Sequence, residues 1–169
     1  MTAPSPEISA PPRRITILGS TGSIGCSTID LVERQPESFS VAALTAFSNV
    51  SLLAEQARKL QPELVVIGDE SRFKELKETL SGSGMEIAAG RDALIEAAKR
   101  PSDFVMAAIV GAAGLEPTLA AVRRGTTVGL ANKECLVCAG DLMKAELEKS
   151  GSTLLPVDSE HSAIYQVFD

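Results

Sequence analysis

The feature that most constrains the fold is the regular alternation of two kinds of segment along the chain. Short apolar runs rich in β-branched residues are separated by longer amphipathic stretches. Parallel strands need a crossover connection between them, and that connection is usually a helix. The pattern therefore predicts an α/β fold, in which a Rossmann-like, doubly wound and mostly parallel sheet carries helices on both faces.

Seven strands and six helices are predicted from this alternation. The strands fall near residues 14–19, 39–46, 63–67, 85–88, 103–110, 126–130 and 152–156, and the helices near 23–35, 50–60, 70–80, 91–99, 114–124 and 134–149. Pro36, Pro62 and Pro101 each follow a predicted helix, which proline cannot easily continue. Residues 1–12 contain four prolines and are expected to form a disordered tail before a single domain over residues 13–156.

Composition excludes several classes of partner. The 169 residues carry 16 Lys and Arg against 22 Asp and Glu, with no basic run, so nucleic acid is not expected as a partner. No apolar run reaches the roughly 20 residues that span a bilayer, so no membrane partner is expected. Three cysteines and one histidine suit a reducing cytoplasm. Cys135 and Cys138 form a CxxC without a second pair, so we expect them to be two small apolar residues on a helix and not a zinc site.

A glycine-rich segment follows the first predicted strand directly. The sequence GSTGSIG occupies residues 19–25, between an apolar strand and a predicted helix. Glycines here would permit a tight turn, a close approach of the backbone to a pyrophosphate, and close packing of the helix. The helix N-terminus would then offer free N–H groups to phosphate. The segment predicts dinucleotide binding; the alternative is a glycine turn that only connects strand to helix.

The end of the second predicted strand bears on the choice of cofactor. NAD-specific sites usually place an acidic residue there to bind the ribose hydroxyls, but residues 44–50 contain none. Because a carboxylate would repel a 2′-phosphate, its absence favours NADP, with Ser48 and Asn49 as neutral donors. Either residue fits equally well as the N-cap of the following helix, and the two roles can coexist.

Four segments together resemble one family, the 1-deoxy-D-xylulose 5-phosphate reductoisomerases. They are residues 19–25, 107–114, 130–134 and 155–161, and the resemblance extends from about residue 13 to the last residue. It implies an enzyme that rearranges the carbon skeleton of a sugar phosphate, 1-deoxy-D-xylulose 5-phosphate, and reduces it with NADPH to 2-C-methyl-D-erythritol 4-phosphate, using Mg²⁺ or Mn²⁺. The step belongs to the non-mevalonate route to isoprenoids.

The resemblance also implies roles for individual residues. The pyrophosphate would be held by Thr21, Gly22, Ser23 and Ile24 within the loop bounded by Gly19 and Gly25; other parts of the nucleotide would contact Asn49, Asn132 and Glu134. Lys133 would contact the substrate as a catalytic residue. Residues 131–134 do follow a predicted strand, where ligands bind in such sheets. From the residues alone, Lys133 and Glu134 fit a solvated helix start equally well.

Two carboxylates near the end of the chain are candidate metal ligands. Asp158 and Glu160 are two residues apart, and in an extended segment such residues would point the same way, so both carboxylates could converge on one hard cation. The resemblance places Mg²⁺ or Mn²⁺ on this pair, with Ser159 and Glu160 contacting substrate and Glu160 catalytic. His161 is the single histidine and receives no role.

The sequence departs from the family pattern in the loop after the second strand. Phe47 occupies a position where the family usually has Gly, and Ser48 one where many members have Lys or Arg. We therefore expect the 2′-phosphate to be bound more weakly. The resemblance also places a third metal ligand, the substrate-phosphate site and most of a homodimer contact beyond Asp169. Residues 157–169 are thus expected to begin a catalytic domain, and this chain to be an NADPH-binding portion without activity of its own.

Two other functions remain open from the sequence. A sensor module could bind NADP without chemistry, although it would have no use for Asp158, Glu160 and Lys133 together. Another dehydrogenase with a similar loop, such as a semialdehyde dehydrogenase, would need a catalytic cysteine. Cys135 and Cys138 lie inside a predicted helix, which suits that role poorly.

Overall fold

Seven parallel strands form one sheet in the computed structural model, which describes residues 11–157. The strands are β1 (Arg13–Leu18), β2 (Phe39–Ala46), β3 (Leu64–Ile67), β4 (Glu86–Ala89), β5 (Phe104–Ala107), β6 (Thr127–Leu130) and β7 (Thr153–Pro156). Central strands are buried on both faces, as Val65 and Val66 are, which explains their continuous apolar runs. The predicted doubly wound sheet is confirmed.

In the described part of the chain, six α-helices cover the two faces of this sheet. They are α1 (Ser23–Glu33), α2 (Val50–Leu60), α3 (Phe73–Thr79), α4 (Arg91–Lys99), α5 (Leu115–Val122) and α6 (Glu134–Ser150). The first three pack into one apolar core, in which Leu53 and Leu76 are fully buried. The last three pack into a second core on the opposite face, around Ala97, Val122 and Met143. Within residues 11–157, no helix has the length and apolar character needed to cross a membrane.

The order of the strands determines where a ligand can bind. The strand order is β4-β3-β2-β1-β5-β6-β7. Strands β2 to β4 are added one after another on one side of β1, and β5 to β7 on its other side. The order reverses between β1 and β5, which pair in parallel with Leu18 opposite Ala107. Ligands of such sheets bind in the crevice beyond the carboxyl ends of the strands at this reversal.

Several predicted boundaries differ from those of the structure. The predicted strand over residues 103–110 ends at Ala107, because the chain then leaves the sheet through Gly111 at φ +75°. Val110 continues the apolar run yet is 80% exposed. Two predicted helices begin with one 3-10 turn, at Glu70–Arg72 and Ala112–Gly114, and α6 is kinked at Ala139.

Candidate nucleotide-binding site

The turn after β1 requires a glycine. Gly19 has φ +82°, a left-handed conformation that glycine adopts without steric cost. A Cβ atom at this position would lie 2.6 Å from the carbonyl oxygen of Ala108. The segments that follow β1 and β5 therefore pass in backbone contact at the reversal of strand order, and any side chain at Gly19 would separate them.

A second glycine brings α1 against the same turn. Gly25 is buried in the first turn of α1, and a Cβ atom on it would lie 2.2 Å from the carbonyl oxygen of Gly19. The carbonyl is backbone and cannot rotate away, so a larger residue would displace the helix. Strand, turn and helix are packed as closely as the sequence interpretation requires.

The N-terminus of α1 has no side-chain cap. Gly22 is its N-cap residue, in an extended conformation, and Gly22 and Ser23 are exposed. The backbone N–H of Cys26 donates to the carbonyl oxygen of Gly22 at 2.8 Å, which begins the helical hydrogen bonding. The N–H groups that precede it have no acceptor inside the helix. An anion placed here would receive those hydrogen bonds and the positive end of the helix dipole.

The segment after β2 forms a second, uncharged part of the site. Phe47, Ser48 and Asn49 are all exposed, and no carboxylate lies among them. The Asn49 side-chain oxygen accepts a hydrogen bond from the backbone N–H of Leu52 at 3.2 Å, so Asn49 is the N-cap of α2. The N-cap interpretation is therefore confirmed for Asn49, whose side chain still borders the groove described next.

A groove of about 470 Å³ lies across the carboxyl ends of β1, β2 and β5. It is lined by Gly19, Thr21 and Gly22 of the glycine loop, by Phe47 and Asn49 after β2, and by Ala108, Ile109, Val110 and Ala113 after β5. The structure thus brings together residues from three segments that are distant in sequence. Among the described residues, seven predicted nucleotide or substrate contacts are not in this lining: Ser23, Ile24, Gly25, Ser48, Asn132, Lys133 and Glu134.

Asn132 supports the segment after β5 that lines one side of the groove. It follows β6 and is 2% exposed, and its side-chain amide donates to the carbonyl oxygens of Ile109 at 2.5 Å and Gly111 at 2.9 Å. Its side-chain oxygen accepts from the backbone N–H of Cys135 at 3.3 Å, in the first turn of α6. Both amide hydrogens are occupied in this arrangement. The predicted contact with the nucleotide stays a prediction, and the side chain contributes by fixing the backbone of residues 109–111.

The remaining predicted residues lie at or beyond the start of α6. Lys133 is exposed immediately before α6, and Glu134 is the half-buried first residue of the helix. Asp158, Ser159, Glu160 and His161 lie outside the described residues. Between residues 11 and 157, no group of three or more His, Cys, Asp or Glu side chains is arranged to hold a metal ion.

The two cysteines of the CxxC segment have different surroundings. Cys135 is 1% exposed and contacts the Thr118 hydroxyl at 3.9 Å, whereas Cys138 is exposed. Burial raises the pKa of the Cys135 thiol, although the Thr118 hydroxyl acts in the opposite direction. Because the thiolate is the nucleophile, Cys135 is poorly suited to the catalytic role that a semialdehyde dehydrogenase would need.

Comparison with known proteins identifies the family. Residues 15–140 match the family model of 1-deoxy-D-xylulose 5-phosphate reductoisomerase. The chain belongs to this family. It is 61% identical over 157 residues to the reductoisomerase of Rhodospirillum centenum, covering 93% of this chain and 39% of that protein. It is 62% identical over 154 residues to that of Gluconobacter oxydans, covering 91% of this chain and 38% of the relative.

Solved reductoisomerase structures have the same fold. The Zymomonas mobilis enzyme in complex with NADPH has a TM-score of 0.92 and 56% identity, over 94% of this chain and 42% of that one. A second reductoisomerase, in complex with NADPH, fosmidomycin and magnesium, has a TM-score of 0.87 and 43% identity, over 91% of this chain and 38% of that one. This chain therefore spans about two fifths of the length of its relatives.

The structure reveals supporting residues that the sequence interpretation missed. Thr45 of β2 accepts a hydrogen bond from Gly19 N at 2.9 Å through its hydroxyl and one from Ser20 N at 2.8 Å through its carbonyl. Ser20 also bonds to Gln56 of α2. Both are polar residues among buried apolar ones, Thr45 in β2 and Gln56 on the buried side of α2. That mismatch with the apolar pattern is the signal in the sequence that could have found them.

We expect the cysteines of α6 to differ in their reactivity toward a thiol reagent. In the native protein, iodoacetamide at pH 8 should alkylate Cys138 much faster than Cys135, because Cys135 is buried and its pKa is raised. Peptide mass spectrometry at successive times would measure both rates, with the denatured protein as the control in which the two rates converge. Faster native labelling of Cys135 would contradict its assignment as an inert core residue.

Proposed function

We propose that this chain binds NADPH across the reversal between β1 and β5, as the nucleotide-binding portion of a reductoisomerase. The observation that carries the proposal is the uncapped N-terminus of α1, positioned by Gly19 and Gly25 beside an open groove. Binding of NADPH by the Zymomonas mobilis relative supports the choice of cofactor.

The loop has the steric properties that a pyrophosphate requires. Gly22 presents no side chain at the start of α1, and the nearest atom to a Cβ built there is the Gly19 carbonyl oxygen at 3.5 Å. Phosphate oxygens could therefore approach the backbone of residues 21–24 closely and reach the N–H groups of Ser23 and Ile24, which have no acceptor inside the helix. We assign Thr21, Gly22, Ser23 and Ile24 to the pyrophosphate on this basis.

The adenosine end would lie against the segment after β2. Asn49 and Ser48 are exposed neutral groups, and no carboxylate in this segment would repel a 2′-phosphate. Phe47 is 72% exposed and its ring approaches Gly68, with a ring carbon 3.0 Å from a Cβ built there. The departure from the usual Gly thus adds apolar surface beside the groove without adding a negative charge.

The nicotinamide end would lie toward the start of α6. Asn132 fixes the neighbouring segment after β5 through its bond to Ile109. Glu134 would contact the nucleotide, and Lys133 would contact the substrate. NADPH supplies the hydride that reduces the rearranged sugar phosphate. In this arrangement the groove would orient the cofactor by its pyrophosphate and leave the reactive end near Lys133.

The reaction itself is proposed for a protein of the relatives' length. It would convert 1-deoxy-D-xylulose 5-phosphate to 2-C-methyl-D-erythritol 4-phosphate in isoprenoid biosynthesis. Asp158 and Glu160 would hold Mg²⁺ or Mn²⁺, a Lewis acid for the developing alkoxide, and Ser159 would contact substrate. We further propose a nucleotide domain over residues 13–156, a catalytic domain beginning at residues 157–169, a cytoplasmic homodimer, and no turnover by this chain alone.

The absence of a carboxylate after β2 leads to a prediction about cofactor preference. NADPH should bind this chain at least several-fold more tightly than NADH, because the segment after β2 offers the 2′-phosphate neutral donors and contains no carboxylate. Isothermal titration of the purified chain with each nucleotide measures the two dissociation constants. Equal affinities would remove the assignment of NADP, and the absence of binding by either nucleotide would overturn the proposed function.

A negative charge at the start of α1 should disrupt the pyrophosphate site. Ser23→Asp should raise the dissociation constant for NADPH by about tenfold, which corresponds to about 1.4 kcal/mol, because a carboxylate would compete for the N–H groups that bind phosphate. Ser81→Asp is the matched control, since Ser81 is exposed in the turn after α3 and adds the same charge elsewhere. Unchanged binding by Ser23→Asp would show that the phosphates lie elsewhere.

The proposed metal ligands should affect turnover and not cofactor binding. In a protein of the relatives' length that carries this sequence, Asp158→Asn or Glu160→Gln should lower kcat at saturating Mg²⁺ by about 100-fold or more, because the metal acts on the substrate. The affinity for NADPH should stay near that of the parent protein. Glu148→Gln, at an exposed position of α6, is the control for loss of one carboxylate. Near-normal turnover of both variants would refute the metal site.

A further inference from the structure

Gln56 is a buried polar residue on the apolar side of α2. It is 4% exposed, and its neighbours Leu53 and Ala57 on the same helix are fully buried in the core. Both ends of its side-chain amide bind Ser20: the amide nitrogen donates to the Ser20 carbonyl oxygen at 3.0 Å, and the Ser20 hydroxyl donates to the amide oxygen at 2.7 Å. The helix is thereby joined at two points to the second residue of the glycine loop.

Among the described residues, the carbonyl and hydroxyl groups of Ser20 have no other strong hydrogen-bond partner than Gln56. It is fully buried, and its backbone N–H already donates to the carbonyl oxygen of Thr45. The other group that approaches its carbonyl oxygen is the Cys26 thiol, a weak donor, at 3.6 Å. Without Gln56, the carbonyl and hydroxyl of Ser20 would be buried with little hydrogen bonding, which is costly in a low-dielectric interior.

The direction of the loop depends on this pair of bonds. With its N–H, carbonyl and hydroxyl all bonded to buried partners, Ser20 is anchored between Gly19 and Thr21, which both line the groove. Residues 21–24 then lead into the start of α1, where the first N–H groups of the helix have no side-chain cap. An unanchored Ser20 could turn its carbonyl toward the groove, where it would repel a phosphate.

We propose that Gln56 is a positioning residue for the pyrophosphate of the cofactor, acting through Ser20. Because Asn49 is the N-cap of α2, this one helix both anchors the pyrophosphate loop and adjoins the segment that faces the adenosine end. The inference rests on the proposed function, since it assumes that NADPH occupies the groove. It assigns to Gln56 an effect on the affinity for pyrophosphate and none on the adenosine end.

The first test replaces the amide with an apolar side chain of similar length. Gln56→Met in this chain should raise the dissociation constant for NADPH by about tenfold while changing that for adenosine 2′-monophosphate, which lacks the pyrophosphate, by less than about twofold. Titration calorimetry for NADPH and NMR titration for the weaker ligand give the two values. Unchanged NADPH affinity, or an equal loss for both ligands, would overturn the inference.

The second test uses a substitution that keeps the shape of the side chain. The carboxylate of Gln56→Glu can accept from the Ser20 hydroxyl but cannot donate to its carbonyl, whereas the protonated carboxyl can do both. The affinity of Gln56→Glu for NADPH should therefore fall as the pH is raised from 6 to 8, relative to Gln61→Glu. Gln61 is exposed just after α2, so it controls for the added charge and for titration of the ligand.

The outcomes of the second test separate the inference from the proposed function. A parallel pH dependence for Gln56→Glu and Gln61→Glu would overturn the role of Gln56 while leaving NADPH binding intact. Failure of the unsubstituted chain to bind NADPH would instead overturn the proposed function and, with it, this inference. Thermal unfolding of each variant at each pH identifies the conditions in which the protein is folded.

Discussion

The contact between the backbone at Gly19 and the backbone at Ala108 is the constraint on which the rest of the site depends. It brings the ends of β1 and β5 together where the strand order reverses, and it leaves no room for a side chain. Gly25 adds a second contact of the same kind between α1 and the turn. These two contacts fix the position of the start of α1 beside the groove, and with it the position of the first N–H groups of the helix.

Buried polar side chains hold this arrangement from three sides. Thr45 binds the turn from β2, Gln56 binds it from α2, and Asn132 binds the opposite wall from the end of β6. Each lies in an otherwise apolar environment, where an unpaired polar group would be costly, so each bond also resists rearrangement of the loop it holds. Thr45, Gln56 and Asn132 are not themselves in the lining of the groove, so they support from behind the segments that form it.

Sequence reasoning worked best where a local rule decides the outcome. The apolar runs located all seven strands, and the glycine spacing located the turn that β1 and α1 share. It failed where a residue takes part in two patterns: Val110 extends the apolar run of β5 but lies at the exposed wall of the groove. For Asn132, the contact with the nucleotide stays a prediction, and the hydrogen bonds of its amide to Ile109 and Gly111 were not foreseen from the sequence.

The sequence by itself determined the parallel α/β architecture, the position of the glycine loop and the lack of a carboxylate after β2, because periodicity, glycine and charge are local properties of the chain. Only the tertiary structure decided which distant residues support the loop. The bond between Ser20 and Gln56 joins residues 36 positions apart, and that between Asn132 and Ile109 joins residues 23 apart. Such pairs depend on how helices pack on the sheet, because a buried hydrogen bond forms only where packing brings donor and acceptor within reach.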